Sequence, residues 1–223
     1  MEELGGLVGA EAAHGRVILA HLGNGASLAA VHGGKSIDSS MGSTPAAGVA
    51  MSTRSGDLDP GLPGYLAHTE DMDAMQFNEM ANSQSGLPGM SETRSDTRDL
   101  LDCETQDVRA AEAVALFCYQ IKKGICAYAA ALGGLDALVS AGGIGEHAPT
   151  VRARICAGLG FPDIELDEQC NTANEAVICM EKAPVAVRVM HTDEDVMIAK
   201  SVCRVEKIPM EKEHEHGQQN TSA

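Results

Sequence analysis

The stretch from His21 to Pro60 carries most of the residues whose types and spacing suit phosphoryl chemistry. An apolar run breaks at His21-Leu22-Gly23-Asn24-Gly25 and is followed by a second apolar run, 26–31. Two such runs joined through Asn-Gly are typical of a β-hairpin. A glycine-rich turn leaves backbone N–H groups open to phosphate oxygens. We therefore predict a phosphate-binding loop at 21–25; the alternative is an ordinary hairpin with a histidine at the strand end.

Arg54 is the candidate catalytic residue of this stretch. A planar guanidinium matches phosphoryl or carboxylate oxygens with two parallel hydrogen bonds and can stabilise a phosphoryl group in transfer. The alternative is a surface ion pair with Asp57 or Asp59, which follow closely in the chain. A Walker phosphate loop is excluded at Gly34-Lys35-Ser36, because Ala29 stands where that motif needs glycine.

Three later groups of residues stand out by their charged side chains or glycines. The triplet Asp96-Thr97-Arg98 combines an acid with a base, which also fits an acid that opens a helix and pairs with its neighbour. The sequence Gly143-Ile144-Gly145-Glu146-His147 follows an apolar strand, 137–141, where a glycine turn allows close approach to backbone. Glu194 lies in an acidic run that could bind a metal ion or simply stabilise a helix N-terminus.

The elements that position these residues can be predicted from periodicity and turn residues. We expect the hairpin, a strand near 36–38, a long loop through Pro63, a helix near 74–80 and a loop containing Gly86, Pro88 and Gly89. A helix over 107–132 follows, with one apolar face. After the strand at 137–141, a glycine turn leads to a helix beginning near Pro149. A strand at 185–190 then leads to a last helix capped by Thr192 or Asp193. The apolar face of the long helix comprises Val114, Phe117, Cys118, Ile121, Ile125, Ala129 and Leu132.

Composition limits the classes of partner and the organisation of the chain. The net charge of −16 over 223 residues makes nucleic acid and anionic membranes poor partners. Seven scattered cysteines, with Cys118, Cys126 and Cys156 among apolar residues, indicate reduced structural thiols. We expect a linker at 1–15, one folded domain at 16–205 and a disordered polar tail at 206–223. The pattern predicts an α/β domain with a mixed sheet flanked by helices.

Taken together, these motifs closely resemble the acetate kinase family of short-chain carboxylate kinases. The resemblance rests on four stretches in the family's order: residues 21–60, 95–100, 142–146 and 192–199. It covers about residues 16 to 205 and only the second of the two domains of such an enzyme. The implied fold is therefore the actin-like, ribonuclease-H-like domain. The implied assembly is a homodimer in the cytoplasm.

The resemblance also assigns roles to the candidate residues. It implies ATP or ADP as co-substrate with Mg²⁺, Arg54 and His21 beside the reacting phosphoryl group, and Glu194 as the residue associated with the metal. The nucleotide would be bound by His21, Leu22, Gly23, Asn24, Gly25, Asp96, Thr97, Arg98, Gly143, Ile144, Gly145, Glu146 and His147. The chain departs from the family's usual residues at Ser43, Ser52, His147 and Asp193.

The implied reaction is ATP-dependent phosphorylation of a short-chain carboxylate, acetate plus ATP giving acetyl phosphate plus ADP. Because the first domain would supply the other binding groups, we expect the polypeptide alone to be nearly inactive. Two alternatives remain open. One is a non-catalytic remnant for nucleotide binding or dimerisation. The other is a Rossmann-type dinucleotide binder, because residues 143–148 fit GxGxxA and three acids, Asp163, Glu165 and Asp167, follow about 20 residues on.

Overall fold

A five-stranded mixed sheet is the framework of the computed structural model, which describes residues 5–6 and 13–206. The strands are β1 (Arg16–Leu22), β2 (Ala26–His32), β3 (Lys35–Ser39), β4 (Ala137–Ala141) and β5 (Ala186–Val189), in the spatial order β3-β2-β1-β4-β5. The first three strands are antiparallel neighbours, whereas β1, β4 and β5 run parallel. The predicted hairpin, its turn at 23–25 and the mixed sheet are confirmed.

Strand β1 lies at the centre of the sheet and is buried on both faces. Ile18, Ala20 and Leu22 join the main core on one face, and Val17 joins a smaller cluster on the other. This division follows from the two-residue period of a strand. Because β1 and β4 are parallel neighbours, their carboxyl ends meet at one edge of the sheet. The loops that follow these two strands are therefore brought together.

The longest helix, α5 (Val108–Leu132), covers the face of the sheet that carries the main core. It begins at Asp107, whose carboxylate accepts hydrogen bonds from the N–H groups of Arg109 and Ala110. Of the predicted apolar face, Leu132 is half-buried and the other six residues are buried, from Val114 to Ala129. The helix prediction is confirmed, with its start one residue later.

Four shorter helices lie between β3 and α5. They are α1 (Leu62–Thr69), α2 (Ala74–Ser83), α3 (Gly86–Ser91) and α4 (Thr97–Cys103). The predicted loop containing Gly86, Pro88 and Gly89 was wrong, since those residues form α3. Glycine and proline usually interrupt helices, but here tertiary packing prevails, because Leu87 is 1% exposed and belongs to the core.

Three helices connect β4 to β5: α6 (Gly142–His147), α7 (Pro149–Cys156) and α8 (Glu168–Thr172). We predicted a glycine turn at 142–145, but these residues form the first part of helix α6, which begins directly after β4. The helix at Pro149 is confirmed, with the proline in its first turn. None of the helices in the described ranges is both long and apolar enough to cross a membrane.

Residues 192–206, the described part of the chain after His191, belong to a second unit. Its helix α9 spans Glu194–Glu206, and the Asp193 carboxylate accepts a hydrogen bond from the N–H of Val196 at 2.9 Å. Asp193, one of the two caps that the sequence predicted, thus binds the first turn of the helix. Most of the predicted linker at 1–15 and all but Glu206 of the predicted tail at 206–223 lie outside the described residues.

Candidate functional site

The loop between β1 and β2 is the first part of the candidate site. The N–H of Gly23 donates to the carbonyl of Gly25 at 3.0 Å, so this group is not open as predicted. The N–H groups of Asn24 and Gly25 donate no hydrogen bond to any residue in the part of the chain that the structure describes. Two adjacent open donors therefore remain available for an anion.

Asn24 is held by the segment that precedes Arg54. Its carbonyl accepts from the N–H of Ser52 at 3.2 Å, and its side-chain oxygen lies 3.3 Å from the Ser52 hydroxyl, which donates to it. Ser52 is buried. Ser52, which the sequence analysis noted only as a departure from the family's usual residues, therefore ties the hairpin loop to the Arg54 segment.

Gly142, the first residue of α6, lies in close contact with the end of β1. A Cβ atom built at Gly142 would lie 2.8 Å from the carbonyl oxygen of Leu22 and 3.1 Å from Cε1 of His21, and the φ angle there is +78°. Only glycine accepts both the left-handed conformation and the close approach. A Cβ at Gly23 would lie 3.7 Å from Nε2 of His21 and 4.0 Å from the N of Gly143. His21, the hairpin loop and α6 are thus one contiguous surface.

A cavity of about 350 Å³ opens beside this surface. Its walls come from the hairpin loop, the N-terminal turn of α4, and α6, which are far apart in sequence. Eight of the predicted binding residues line it, namely Gly23, Asn24, Asp96, Thr97, Arg98, Gly143, Ile144 and His147. Ser52, Leu101 and Ala148 complete the lining. The structure therefore brings together three of the four sequence motifs.

Asp96 and Arg98 form an ion pair at the N-terminus of helix α4. Oδ1 of Asp96 accepts from the N–H of Arg98 at 2.8 Å and caps the helix, and Oδ2 lies 2.7 Å from Nη2 of Arg98. The side-chain hydrogen bond from Arg98, with help from its backbone N–H, lowers the pKa of the Asp96 carboxyl. The arginine side chain is 85% exposed. The alternative anticipated from sequence, a helix-opening acid paired with its neighbour, is thus present at the cavity wall.

Arg54 lies against the hairpin loop rather than in the cavity lining. A Cβ at Gly25 would lie 3.3 Å from Nη1 of Arg54, and the same nitrogen is 3.8 Å from the sulfur of Met51. Asp57 and Asp59 instead accept hydrogen bonds from the backbone N–H groups of Gly48 and Gly61. Among the described residues, Arg54 has no carboxylate partner. The alternative considered from sequence, a surface ion pair of Arg54 with Asp57 or Asp59, is therefore not present.

The backbone around Arg54 is fixed by the two helices that follow it. The N–H of Met51 donates to the carbonyl of Arg54, and the N–H of Ser55 donates to the carbonyl of Ala81 in α2. At the start of α3, Gly86 has a φ of +65°, and a Cβ there would lie 2.2 Å from the carbonyl oxygen of Met51. This close contact again requires glycine. The arginine side chain is consequently presented from a rigid turn.

Glu146 is a residue of helix α6 that does not line the cavity. Its carboxylate is buried, accepts from the N–H of Gly142 at 3.0 Å, and has its other oxygen 2.6 Å from Nδ1 of His191. Four other predicted residues also lie outside the lining. His21 and Gly25 belong to the hairpin surface beside it, the side chain of Leu22 belongs to the core, and Gly145 packs on Ser140.

Arg152 is a supporting residue that the sequence analysis missed. It is 1% exposed, and its guanidinium donates to the carbonyls of Gly145 and Glu146 at 2.8 and 3.0 Å. It also donates to the side chain and carbonyl of Asn171 and to the side chain of Asn174. Burial lowers the pKa of Arg152 from its usual high value. An arginine in a polar helix carries no sequence signal that would distinguish this role from surface exposure.

The remaining predicted residues concern metal and thiols. The side chain of Glu194 lies outside what the structure describes, and the described residues hold no group of three or more His, Cys, Asp or Glu placed around a metal. Burial raises the pKa of the Cys118 thiol to about 11 and that of Cys156 to about 12. Such thiols are poor nucleophiles, as expected for structural cysteines.

Comparison with known proteins gives matches over most of the chain. The sequence pattern that defines the acetokinase family matches residues 2–200. A propionate kinase from Yersinia enterocolitica is 44% identical over 191 residues, covering 85% of this chain and 46% of the relative. An acetate kinase from Clostridium botulinum, strain Alaska E43, is 46% identical over 190 residues, covering 83% and 48%. The chain spans about half the length of the curated relatives it matches.

Solved structures give the same result. The crystal structure of Porphyromonas gingivalis acetate kinase matches with a TM-score of 0.87 at 39% identity, covering 92% of this chain and 52% of that one. Acetate kinase from Entamoeba histolytica matches with a TM-score of 0.84 at 32% identity, covering 91% and 54%. These matches confirm the mixed α/β fold of the actin-like class. They also place residues 143–148 in this fold rather than in a dinucleotide-binding one.

Proposed function

Because the chain belongs to the acetokinase family, we propose that it forms the nucleotide-binding half of an ATP-dependent short-chain carboxylate kinase. The reaction is the transfer of the γ-phosphoryl group of ATP to acetate or a close homologue, giving acetyl phosphate and ADP. One observation carries the proposal: the cavity between α4 and α6 opens directly onto the hairpin loop against which His21 and Arg54 lie. The half of the relatives' length that this chain does not match would supply the opposite wall.

The nucleoside end of the nucleotide fits the cavity between α4 and α6. The side chains of Leu101, Ile144 and Ala148 give it apolar surface, which suits a base. Oδ2 of Asp96 accepts one hydrogen bond, from Arg98, and a carboxylate oxygen has capacity for a further donor such as a ribose hydroxyl. The exposed guanidinium of Arg98 can cover the face of the base by a cation–π contact.

The phosphates would run from the cavity along the hairpin loop. The open N–H groups of Asn24 and Gly25 are suited to phosphate oxygens, and Arg54 adjoins Gly25 at the far end. Phosphoryl transfer is catalysed chiefly by positioning and by neutralising the charge on the transferred group. Arg54 and His21 would perform this role with the carboxylate held opposite them.

We propose that Mg²⁺ accompanies the nucleotide, with Glu194 as its associated carboxylate. Magnesium prefers oxygen ligands and is usually held by one or two carboxylates together with nucleotide phosphates and water. Such an ion neutralises charge on the phosphates. The donor chemistry of Glu194 fits, and the neighbouring Asp193 is already engaged as the cap of α9. Homodimer formation and a cytoplasmic location are further proposals that rest on the family alone.

We expect the 223-residue chain to bind Mg-ADP weakly without turning it over. Titration calorimetry should show saturable heat, and hydrogen exchange should show protection at 21–25, 96–98 and 142–147. Arg98→Ala should weaken binding about three- to fivefold through loss of the contact with the base. Arg94→Ala, an exposed arginine outside the cavity, is the matched control and should bind as the parent does. No heat and no protection at saturating ADP would contradict the proposal.

We expect Glu194→Ala to raise the Mg²⁺ concentration needed for half-maximal ADP binding about tenfold, the usual scale for removing a group that supports a metal. The affinity for metal-free ADP should not change. Glu206→Ala removes an acid from the other end of the same helix, so it controls for general charge effects. An unchanged Mg²⁺ response in Glu194→Ala would remove this glutamate from the metal role.

A further inference from the structure

Ser52 is a buried residue that holds an exposed side chain of the hairpin loop. Only 7% of Ser52 is exposed, whereas Asn24 is open to solvent, and both residues line the cavity. Two hydrogen bonds join them. The Ser52 N–H donates to the Asn24 carbonyl at 3.2 Å, and the Ser52 hydroxyl donates to Oδ1 of Asn24 at 3.3 Å. The first bond fixes the backbone of the loop, and the second fixes the Asn24 side chain.

The Ser52 hydroxyl determines which end of the Asn24 amide is left open. An asparagine amide has an oxygen that accepts hydrogen bonds and an NH₂ group that donates them. Because Oδ1 is turned toward Ser52, the Nδ2 atom is the open end, and it donates to no residue in the described ranges. The backbone N–H groups of Asn24 and Gly25 are open as well. The loop therefore presents a side-chain donor beside main-chain donors, an arrangement that suits phosphate oxygens.

We propose that Ser52 is a positioning residue, whose hydroxyl orients the Asn24 amide so that its NH₂ group donates to the phosphates of the bound nucleotide. This inference rests on the proposed function and gives a role to a residue outside the predicted binding set. Without the hydroxyl, the exposed Asn24 side chain would sample several rotamers, and the ligand would have to order it. Ordering one side chain on binding weakens affinity by roughly two- to tenfold, which is the gain that Ser52 provides.

The test compares Ser52→Ala with the parent chain, because alanine removes the hydroxyl and keeps the backbone bond to Asn24. Titrations followed by NMR should show that Mg-ADP and tripolyphosphate each bind about fivefold more weakly to Ser52→Ala. Adenosine, which has no phosphate, should bind both chains equally. Ser52→Thr retains the hydroxyl and should recover most of the affinity. Ser83→Ala, which changes an exposed serine of α2 outside the cavity, is the matched control and should bind as the parent does.

The Asn24 side chain provides a second measurement that needs no ligand. The nitrogen-15 order parameter of its NH₂ group should be about 0.85 in the parent, as for rigid backbone, and below about 0.6 in Ser52→Ala. A mobile amide in the parent would overturn the inference whether or not the variant folds, and so would equal order in both chains.

The titrations can also contradict the inference. Unchanged tripolyphosphate affinity in Ser52→Ala would overturn it while leaving the proposed function intact. An equal loss of adenosine affinity would overturn it too, because Ser52 would then support the whole site and not the phosphate end. A parent chain that binds no ADP would overturn both the inference and the proposed function.

Discussion

Arg54→Ala should lower kcat by about 10²-fold or more in an active fusion of this chain with the first half of a related acetate kinase. Removing a charge partner of the transferred phosphoryl group has effects of this size. The KM for nucleotide should change little, because Arg54 adjoins the loop at Gly25 and does not line the cavity. The measurement is the rate of acetyl phosphate formation at saturating ATP and acetate.

Two variants sharpen this experiment. Arg54→Lys should recover little activity, because an ammonium group cannot reproduce the planar two-pronged contact of a guanidinium. Arg109→Ala removes an arginine that pairs with Glu92 away from the site, so it should retain activity. A near-normal rate in Arg54→Ala would show that the catalytic assignment is wrong. A folded fusion that binds ADP but forms no acetyl phosphate would instead favour the non-catalytic alternative.

Arg152→Met should reduce the free energy of unfolding by about 3 kcal/mol or more, because several buried acceptors lose a hydrogen bond and each unsatisfied buried group costs about 1–3 kcal/mol. Methionine fills part of the volume but removes the donor to acceptors on Gly145, Glu146, Asn171 and Asn174, of which the Asn171 carbonyl keeps a second donor, the N–H of Asn174. The measurement is urea denaturation followed by circular dichroism. The same acceptors position α6, so Mg-ADP affinity should fall with stability.

The control for Arg152 is its neighbour Arg154. Arg154 forms a two-pronged ion pair with Glu104 that is partly open to solvent, and partly exposed pairs contribute about 1 kcal/mol or less. Arg154→Met should therefore be much milder. Arg152→Lys should lie between the parent and Arg152→Met, since it keeps the charge but loses the geometry. If Arg152→Met denatures at the same urea concentration as the parent, the network does not carry the stability assigned to it. If Arg152→Met yields no folded protein, Arg152→Lys decides the matter in the same way.

The sequence was sufficient to predict the parts of the site that depend on local residue patterns. The hairpin, the cap of α9 and the long apolar helix follow from turn residues and periodicity, and the resemblance to the family's motifs selected Asp96 and Gly143. Arg152 was not predictable, because its acceptors lie on both sides of it in the chain, at Gly145 and Glu146 in α6 and about 20 residues further on at Asn171 and Asn174, and leave no periodic pattern. The helix at Gly86 was missed for a related reason, since Leu87 is buried by residues remote in sequence.

Ser52 and Thr97 show a second limit of sequence reasoning. Both were noted as members of motifs, but a serine or threonine can face solvent, cap a helix or bind a ligand. Only the tertiary structure shows that Ser52 holds Asn24 and that the Thr97 hydroxyl is buried without a partner in the described part of the chain. The type of residue indicates what it can do, and the fold determines which of these possibilities applies.

The contact of Gly142 with the end of β1 has a consequence for the kinetics of binding. Two walls of the proposed nucleotide site follow adjacent parallel strands and lie in close contact, so neither can be displaced without the other. Most of the conformational entropy of this surface is therefore lost when the polypeptide folds and not when the ligand binds. We expect ADP to associate in a single exponential phase whose rate rises linearly with concentration, with no slow isomerisation within this half of the enzyme.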